Sequence, residues 1–487
     1  PSEYHEVSMA AQKAQPILST GLQYMRMDPI APARPKILIA TFGSLGDVNP
    51  FIGLAHELRR QGFDPVIATS EEYRDFVEGE GLDFKPVRPD LGEISSRLDM
   101  QKGEIATKMS QSKRFLFDQI MFPHLRDAYH DVLELTKDVD GVVTHCLAFG
   151  AKAAAEQRGL PLFNVFLSPM LLFSAYNPPL GTPAPFIDAG SPAAVEYNRL
   201  LLKIVEEALT LLASPLRKFR KELGLPGLRG FELLVGAPRA AATIGLFSSL
   251  LMPPVSKQIR SEIVVGHSFH DGSKRTASPE SSELPTDLLE FLDSGPEPIV
   301  FTLGSLVTID RIDYFRDCAA AARALNRRAV LLADQADVNQ LRQELPPDVS
   351  VHGYIPHSPL FPKCCAVVHH GGMGSTGQAL RAGKPQLVTP FCNDQFDIAH
   401  RLSRLGVARA LKADGVSVKQ LTKNIESLLS SPDYSKCAKA VAEEIALEDG
   451  AKSAATVIAD SLKRAGRGSN TPSYRPCEVG TSRLPKD

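Results

Sequence analysis

The chain has 487 residues and a mass of 52.8 kDa, too long for one ordinary hydrophobic core, so two domains are expected. A formal net charge of −2 with 23% charged residues advertises neither nucleic acid nor an anionic membrane surface as a partner. Seven cysteines, with no CxxC pair and no metal-ligand spacing, read as reduced cytosolic thiols, and no apolar run approaches the ~20 residues that span a bilayer. With no signal pattern at the N-terminus, a cytoplasmic location is expected, peripheral to a membrane if a lipid is the substrate.

Residues 1–34 are polar and aperiodic and read as a flexible extension. Order begins at Lys36–Ala40, a continuous apolar run suited to a buried parallel strand. It ends in the turn 41–50, where Asn49 can cap and Pro50 can open a helix carrying Phe51, Leu54, Ala55 and Leu58 at helical spacing. A second strand (Pro65–Thr69) and helix follow, the β-α-β-α opening of a doubly wound sheet. Asp47 lies in the glycine turn at the carboxyl end of the first strand, the rim that faces the cleft in such a fold; a helix cap is the alternative.

Helical stretches run through 95–137, with Phe117 in an apolar band that is core or, in part, a ligand wall. Gly141–His145 is a strand end and 148–158 a helix closed by Gly159. After the strand 161–166, the segment 168–190 carries five prolines with Met170, Phe173 and Tyr176. It reads as a stiff apolar loop on the ligand rim, which argues for a lipophilic partner; packing against the helices of 195–223 is the alternative. A polar stretch near 271–282 marks the crossing between domains, and Pro298–Ser305 repeats the strand and Gly-Ser turn of residues 37–44.

The most informative stretch is 354–397. Val367–Val368 end an apolar run, His369, His370, Gly371, Gly372 and Gly374 follow, and Ser375 and Thr376 open a helix stopped by Gly383 and Pro385. A strand, a glycine turn and a helix N-terminus favour phosphate, because the backbone approaches closely and free N–H groups meet the anion. The pattern is neither G-x-G-x-x-G nor a Walker loop. His370 adds a donor, or a charge if protonated. Asp394 and Gln395 follow the next strand on the same rim, a carboxylate and an amide suited to a hydroxyl-rich ligand.

The block from Tyr354 through His370–Thr376 to Asp394–Gln395 resembles the donor-binding signature of the UDP-glycosyltransferase superfamily, near its sterol-type and rhamnosyltransferase branches, over most of residues 36–463. The resemblance implies an α/β fold of two facing Rossmann-like domains with parallel sheets, the GT-B architecture: an acceptor domain (35–250), a nucleotide-sugar domain (262–450), a helix crossing back to the first domain (451–465) and a disordered tail (466–487). It implies an inverting hexosyltransferase with no cofactor and no metal, a UDP- or dTDP-sugar donor and a lipophilic hydroxylated acceptor.

In the roles so implied, Asp47 is the base that takes the acceptor proton. His145, where plant relatives carry aspartate, stabilises or relays for it. Tyr354 and Ile355 hold the donor base, in a chain without tryptophan. Gly304, Ser305, His370, Gly372, Gly374, Ser375 and Thr376 meet the diphosphate, and Gln378 stands where glutamate usually holds the ribose. Asp394 and Gln395 hold the sugar, and Phe117, Met170, Phe173 and Tyr176 line the acceptor site. An epimerase or hydrolase on the same fold, or a non-catalytic nucleotide-sugar-binding subunit, are the alternatives.

Overall fold

The computed structural model describes residues 34–180, 184–235, 240–252, 263–270, 284–304, 311–413 and 415–466. The expected extension before Arg34, the tail beyond Gly466, the crossing near 271–282 and the donor residue Ser305 lie outside the described residues.

Among the described residues, thirteen strands form two all-parallel sheets. The first is ordered β3-β2-β1-β4-β5-β6-β7, from β1 (Lys36–Ala40), β2 (Asp64–Thr69), β3 (Asp83–Pro86), β4 (Gly141–His145), β5 (Leu162–Phe166), β6 (Ala242–Gly245) and β7 (Ile263–Val264). The second is ordered β10-β9-β8-β11-β12-β13, from β8 (Ile299–Thr302), β9 (Ala329–Leu332), β10 (Val349–His352), β11 (Ala366–His369), β12 (Gln386–Val388) and β13 (Ala408–Ala410). Each order reverses once, between β1 and β4 and between β8 and β11. Ligands enter open α/β sheets at such switch points.

Because both faces of each sheet are covered, the strands read as unbroken apolar runs, yet their alternation still sorts the side chains. Ile37 and Ile39 pack with Phe51, Ile52 and Leu58 of the helix Leu45–Arg60 and with Ala454, Ala455 and Ile458 of the last helix, Gly450–Gly466. Leu38 and Ala40 face the opposite cluster, with Tyr129, Ala153 and Phe219. This helix, the last among the described residues, therefore completes the core of the first sheet. In the second sheet Ile299 and Phe301 face Phe315 and Ile425, while Val300 faces Leu288 and Leu360.

A buried arginine fastens the halves together. Arg401 pairs with Asp397 at 2.6 Å on one helix and donates through Nη1 to Asn177 Oδ1 (2.6 Å) and the Leu251 carbonyl (2.8 Å) of the first half. Both Arg401 and Asp397 are almost fully enclosed. No helix among the described residues is long and apolar enough to cross a membrane.

The aromatic side chains of the proline-rich loop pack away from the cleft. Phe173 stacks on Phe231 with ring centroids 3.8 Å apart, and it packs with Tyr176 against Val195 and Leu202 of the helix Pro192–Leu212. Phe117 lies in the core between Phe122 and Phe149. These three aromatics, and Met170 with them, lie outside the cleft lining, so the expected acceptor residues are corrected. The physical reason is that large rings bury most area against one another, and the neighbouring helix and Phe231 supplied that surface.

Candidate active site

A cleft of about 850 Å³ opens between the carboxyl ends of the two sheets. From the first half it is lined by Phe42–Asp47, Met109, Leu116, Leu147, Leu167 and Leu246. From the second half come Gly304, Ala333–Gln335, Gly353–His357, His370, Gly372–Ser375, Gln378 and Cys392–Gln395. The apolar side chains went unforeseen. A positional signal was available, since Leu147, Leu167 and Leu246 each stand one or two residues past a strand end, where ligands lie.

Asp47 is both a cap and a cleft residue. Its Oδ2 accepts from the Ser44 backbone N–H at 2.8 Å and from Ser44 Oγ at 3.1 Å, the reciprocal capping box of the helix Leu45–Arg60. The fold of the carboxylate depends on Gly43 (φ +135°), where a Cβ would meet Asp47 Oδ2 at 2.2 Å. The other oxygen takes no part in the cap, and the residue lines the cleft with about a third of its side chain exposed. Burial raises the carboxyl above its ordinary range, and the Ser44 hydrogen bonds oppose that rise.

His145 lies behind it, with Nε2 3.8 Å from Asp47 Oδ1, longer than a hydrogen bond. Burial, and then the Lys152 ammonium, push the imidazole down to about 3, so it is neutral. Its Nδ1 has no hydrogen-bond partner, and its ring meets Phe51 edge-on. The two residues expected to pair are thus brought together, but as a carboxylate beside a neutral ring.

Across the cleft, the adjacent histidines divide their work. His369 is fully enclosed; its Nδ1 accepts from the Gly371 N–H at 3.1 Å, which leaves the proton on Nε2 for donation to Gln386 Oε1 at 2.9 Å. It shapes the turn. His370 faces the cleft with Nδ1 unpartnered, held between two glycines. A Cβ on Gly304 would lie 2.5 Å from His370 Cε1, and one on Gly372 would lie 2.3 Å from Nε2. Burial, with His369 and His357 adding to it, pushes His370 down to about 3, so it stands as a neutral donor rather than the imidazolium. An arriving anion favours the protonated form. Gly372 begins the helix Met373–Arg381 without a side-chain cap, which leaves the first-turn amides to an incoming acceptor.

His357, which the sequence did not single out, faces Ser375 Oγ at 3.3 Å, approaches the Ile355 carbonyl at 3.2 Å and stacks on Phe361. Tyr354 stands 43% exposed on the cleft wall. Gln378 donates to the Phe269 carbonyl at 3.1 Å, which ties this helix to the segment entering from the first half.

Asp394 begins the helix Gln395–Arg404 but makes no side-chain cap bond, so its carboxyl is not spent on the helix. Burial raises it, and the neighbouring Asp47 adds to that against the pull of Ser168 and Lys113. Lys113, from the first half, reaches across to Asn393 Oδ1. Gln395 is differently occupied: its Oε1 accepts from the Phe391 and Cys392 N–H groups at 2.8 and 3.1 Å, so it braces its own turn. Thr376 is fully enclosed and is not among the residues that line the cleft, and its Oγ1 has no hydrogen-bond partner.

Two family descriptions match the chain: the glycosyltransferase family 28 N-terminal domain over residues 37–176, and the erythromycin biosynthesis protein CIII-like C-terminal domain over 319–461. A sterol 3-beta-glucosyltransferase of Candida albicans is 29% identical over 442 residues, covering 88% of this chain and 28% of that protein. The chain thus spans 28% and 36% of two fungal sterol relatives, and 67% of one from Arabidopsis thaliana. An uncharacterized glycosyltransferase of Mycobacterium leprae is 28% identical, covering 91% of this chain and all of the relative. Among solved structures, the glycotransferase of kitacinnamycin superposes with a TM-score of 0.62 at 21% identity over 88% of this chain and all of that one. Glycosyltransferase VinC in complex with dTDP superposes at 0.61 and 19% identity, over 89% of this chain and all of that one. Both likenesses are of fold.

Proposed function

Because the chain belongs to the UDP-glycosyltransferase superfamily with the GT-B architecture, we propose that it transfers a hexose from a nucleotide diphosphate sugar to a hydroxyl of a lipophilic acceptor, with inversion. The observation that carries this is the placement of Asp47 and His370 on opposite walls of one cleft, each at the switch point of its own sheet. The diphosphate lies on the amides of Gly372–Ser375 with His370 donating to it, and the base rests near Tyr354 and Ile355. Asp394 holds sugar hydroxyls. The acceptor lies along Met109, Leu116, Leu147, Leu167 and Leu246.

In the reaction the acceptor oxygen attacks the anomeric carbon, its proton passes to Asp47, and the bond to the diphosphate oxygen breaks. The departing charge is stabilised by donors already in position. The sterol relatives make a sterol the first acceptor to try and UDP-glucose the first donor, with dTDP-rhamnose the alternative.

The test is to mix the purified chain with each nucleotide sugar and a panel of lipophilic alcohols, then weigh the products. A mass gain of one hexosyl unit on an alcohol, lost in Asp47→Asn, supports the reading. Sugar release with no acceptor product would point to a hydrolase instead.

A further inference from the structure

We propose that His56, Glu80 and His270 form a site for a divalent transition metal, zinc being the best match, which clips the stretch after β7, residues 265–270, onto the helix Leu45–Arg60.

The three residues come from separate parts of the chain. His56 is on the helix Leu45–Arg60, Glu80 ends the helix Arg74–Gly79, and His270 ends the segment that follows β7. Gly53, one turn before His56 on the same helix face, brings them together. A Cβ there would meet Ser268 Oγ at 2.4 Å and His270 Cβ at 3.2 Å, so the glycine lets this segment lie on the helix. Ser268 Oγ donates to the Pro50 carbonyl at 3.1 Å and fixes the register.

His56 Nε2 then lies 3.4 Å from Glu80 Oε2, and His270 Nε2 lies 3.5 Å from Glu80 Oε1. One ligand atom from each of the three falls within 4.8 Å of the others. Tetrahedral zinc, with bonds of about 2.0–2.2 Å, sets its ligands about 3.3–3.5 Å apart. The polar accounting points the same way. The Glu80 side chain is 1% exposed, yet Glu80 Oε1 and His270 Nε2 face only each other, at 3.5 Å and without a well-formed hydrogen bond. Buried carboxylate oxygens are rarely left so, because the desolvation is then uncompensated. Two imidazole nitrogens and a carboxylate oxygen are a donor set for zinc, with a fourth position left for water. His270 also lines the cleft, so the ion would stiffen one of its walls without entering the chemistry.

The experiment uses the full, tag-free chain, stripped with a chelator and titrated with Co²⁺ and then Zn²⁺ in the absence of nucleotide, so the result does not depend on sugar transfer. Expected are one cobalt per chain with the intense visible absorption of a four-coordinate ion, its displacement by one zinc, and a higher melting temperature with zinc. His56→Gln and His270→Gln, both partly exposed positions, each weaken binding by about tenfold or more, while His130→Gln, at an exposed histidine elsewhere, does not. No saturable one-to-one uptake by the unaltered chain, or uptake that survives both histidine variants, overturns the site and leaves a polar His–Glu–His cluster without a metal. Glu80→Gln is read only where circular dichroism shows it folded; the titration of the unaltered chain decides the matter without it.

Discussion

Asp47 Oδ2 is held by the Ser44 backbone at 2.8 Å, while Oδ1 takes no part in that cap and the residue lines the cleft. One carboxylate thus closes a helix and presents a lone pair, and the two tasks are separable by experiment. Asp47→Asn keeps an acceptor oxygen for Ser44 and removes the base. Turnover should fall by about 10²–10⁴-fold, with donor affinity and melting temperature nearly unchanged. Survival of turnover within about threefold would leave the residue as a cap alone. Since burial raises Asp47 and a base must be ionised to act, activity in the wild type should rise with pH across the acid limb.

His145 stands 3.8 Å from that carboxylate as a neutral ring, so its removal takes away no charge. His145→Gln should lower turnover through looser positioning while leaving the acid limb in place. A limb displaced by a full pH unit, worth about 1.4 kcal/mol, would show that an imidazolium had been holding Asp47 ionised.

The buried imidazoles also bear on stability. His145 and His370 are pushed to about 3, and His267 and His369 to about 4, from an ordinary 6.5, chiefly by burial. Between those values the unfolded chain binds protons that the folded one does not. Stability is therefore fully present above pH 6.5 and is lost as pH falls toward 4, by up to about 1.4 kcal/mol per pH unit for each group. Urea unfolding from pH 7.5 to 5 should show this slope. His369→Gln should flatten it, and an unchanged slope would mean that the ring is charged in the fold.

Arg401 links the halves through Asn177 and the Leu251 carbonyl while neutralising Asp397, whose carboxyl burial raises to about 6 despite the guanidinium. Arg401→Met leaves that carboxylate buried and alone and should cost about 3–5 kcal/mol. Adding Asp397→Leu should restore part of the loss. If the double variant is as unstable as the single one, the bonds to Asn177 and Leu251 matter more than the ion pair.

Residue patterns reveal one kind of feature here and hide another. Lys36–Ala40 and Val367–His369 read as buried strands because parallel strands covered on both faces are continuous apolar runs, and glycine turns after them mark switch points. Local chemistry was therefore legible. Partner choice was not. Phe173 and Tyr176 are as apolar as Leu147 or Leu167, and only the nearby helix and Phe231 determine which of them turn from the cleft. Arg401 reads as a surface cation until its three partners, far apart in the chain, converge on it. His56, Glu80 and His270 share no sequence spacing at all.

The paired histidines give the sharpest test of the donor site. His370 lines the cleft, its Nδ1 buried and unpartnered, and is positioned by Gly304 and Gly372, whereas both nitrogens of His369 are spent on Gly371 and Gln386. A hydrogen bond to a charged diphosphate is worth about 1.5–3 kcal/mol. His370→Ala should then weaken UDP or dTDP binding by roughly ten- to a hundredfold, at a factor of ten per 1.4 kcal/mol, with little change in melting temperature. His369→Ala should do the reverse, lowering stability by about 1–3 kcal/mol for its unsatisfied buried partners and costing the folded fraction much less affinity. Gly372→Ala belongs with His370→Ala, because its methyl group enters the space held by Nε2 and displaces the ring. Calorimetric titration of the three variants beside their melting curves separates affinity from stability. Binding by His370→Ala as tight as that of the unaltered chain would remove this turn as the diphosphate cradle.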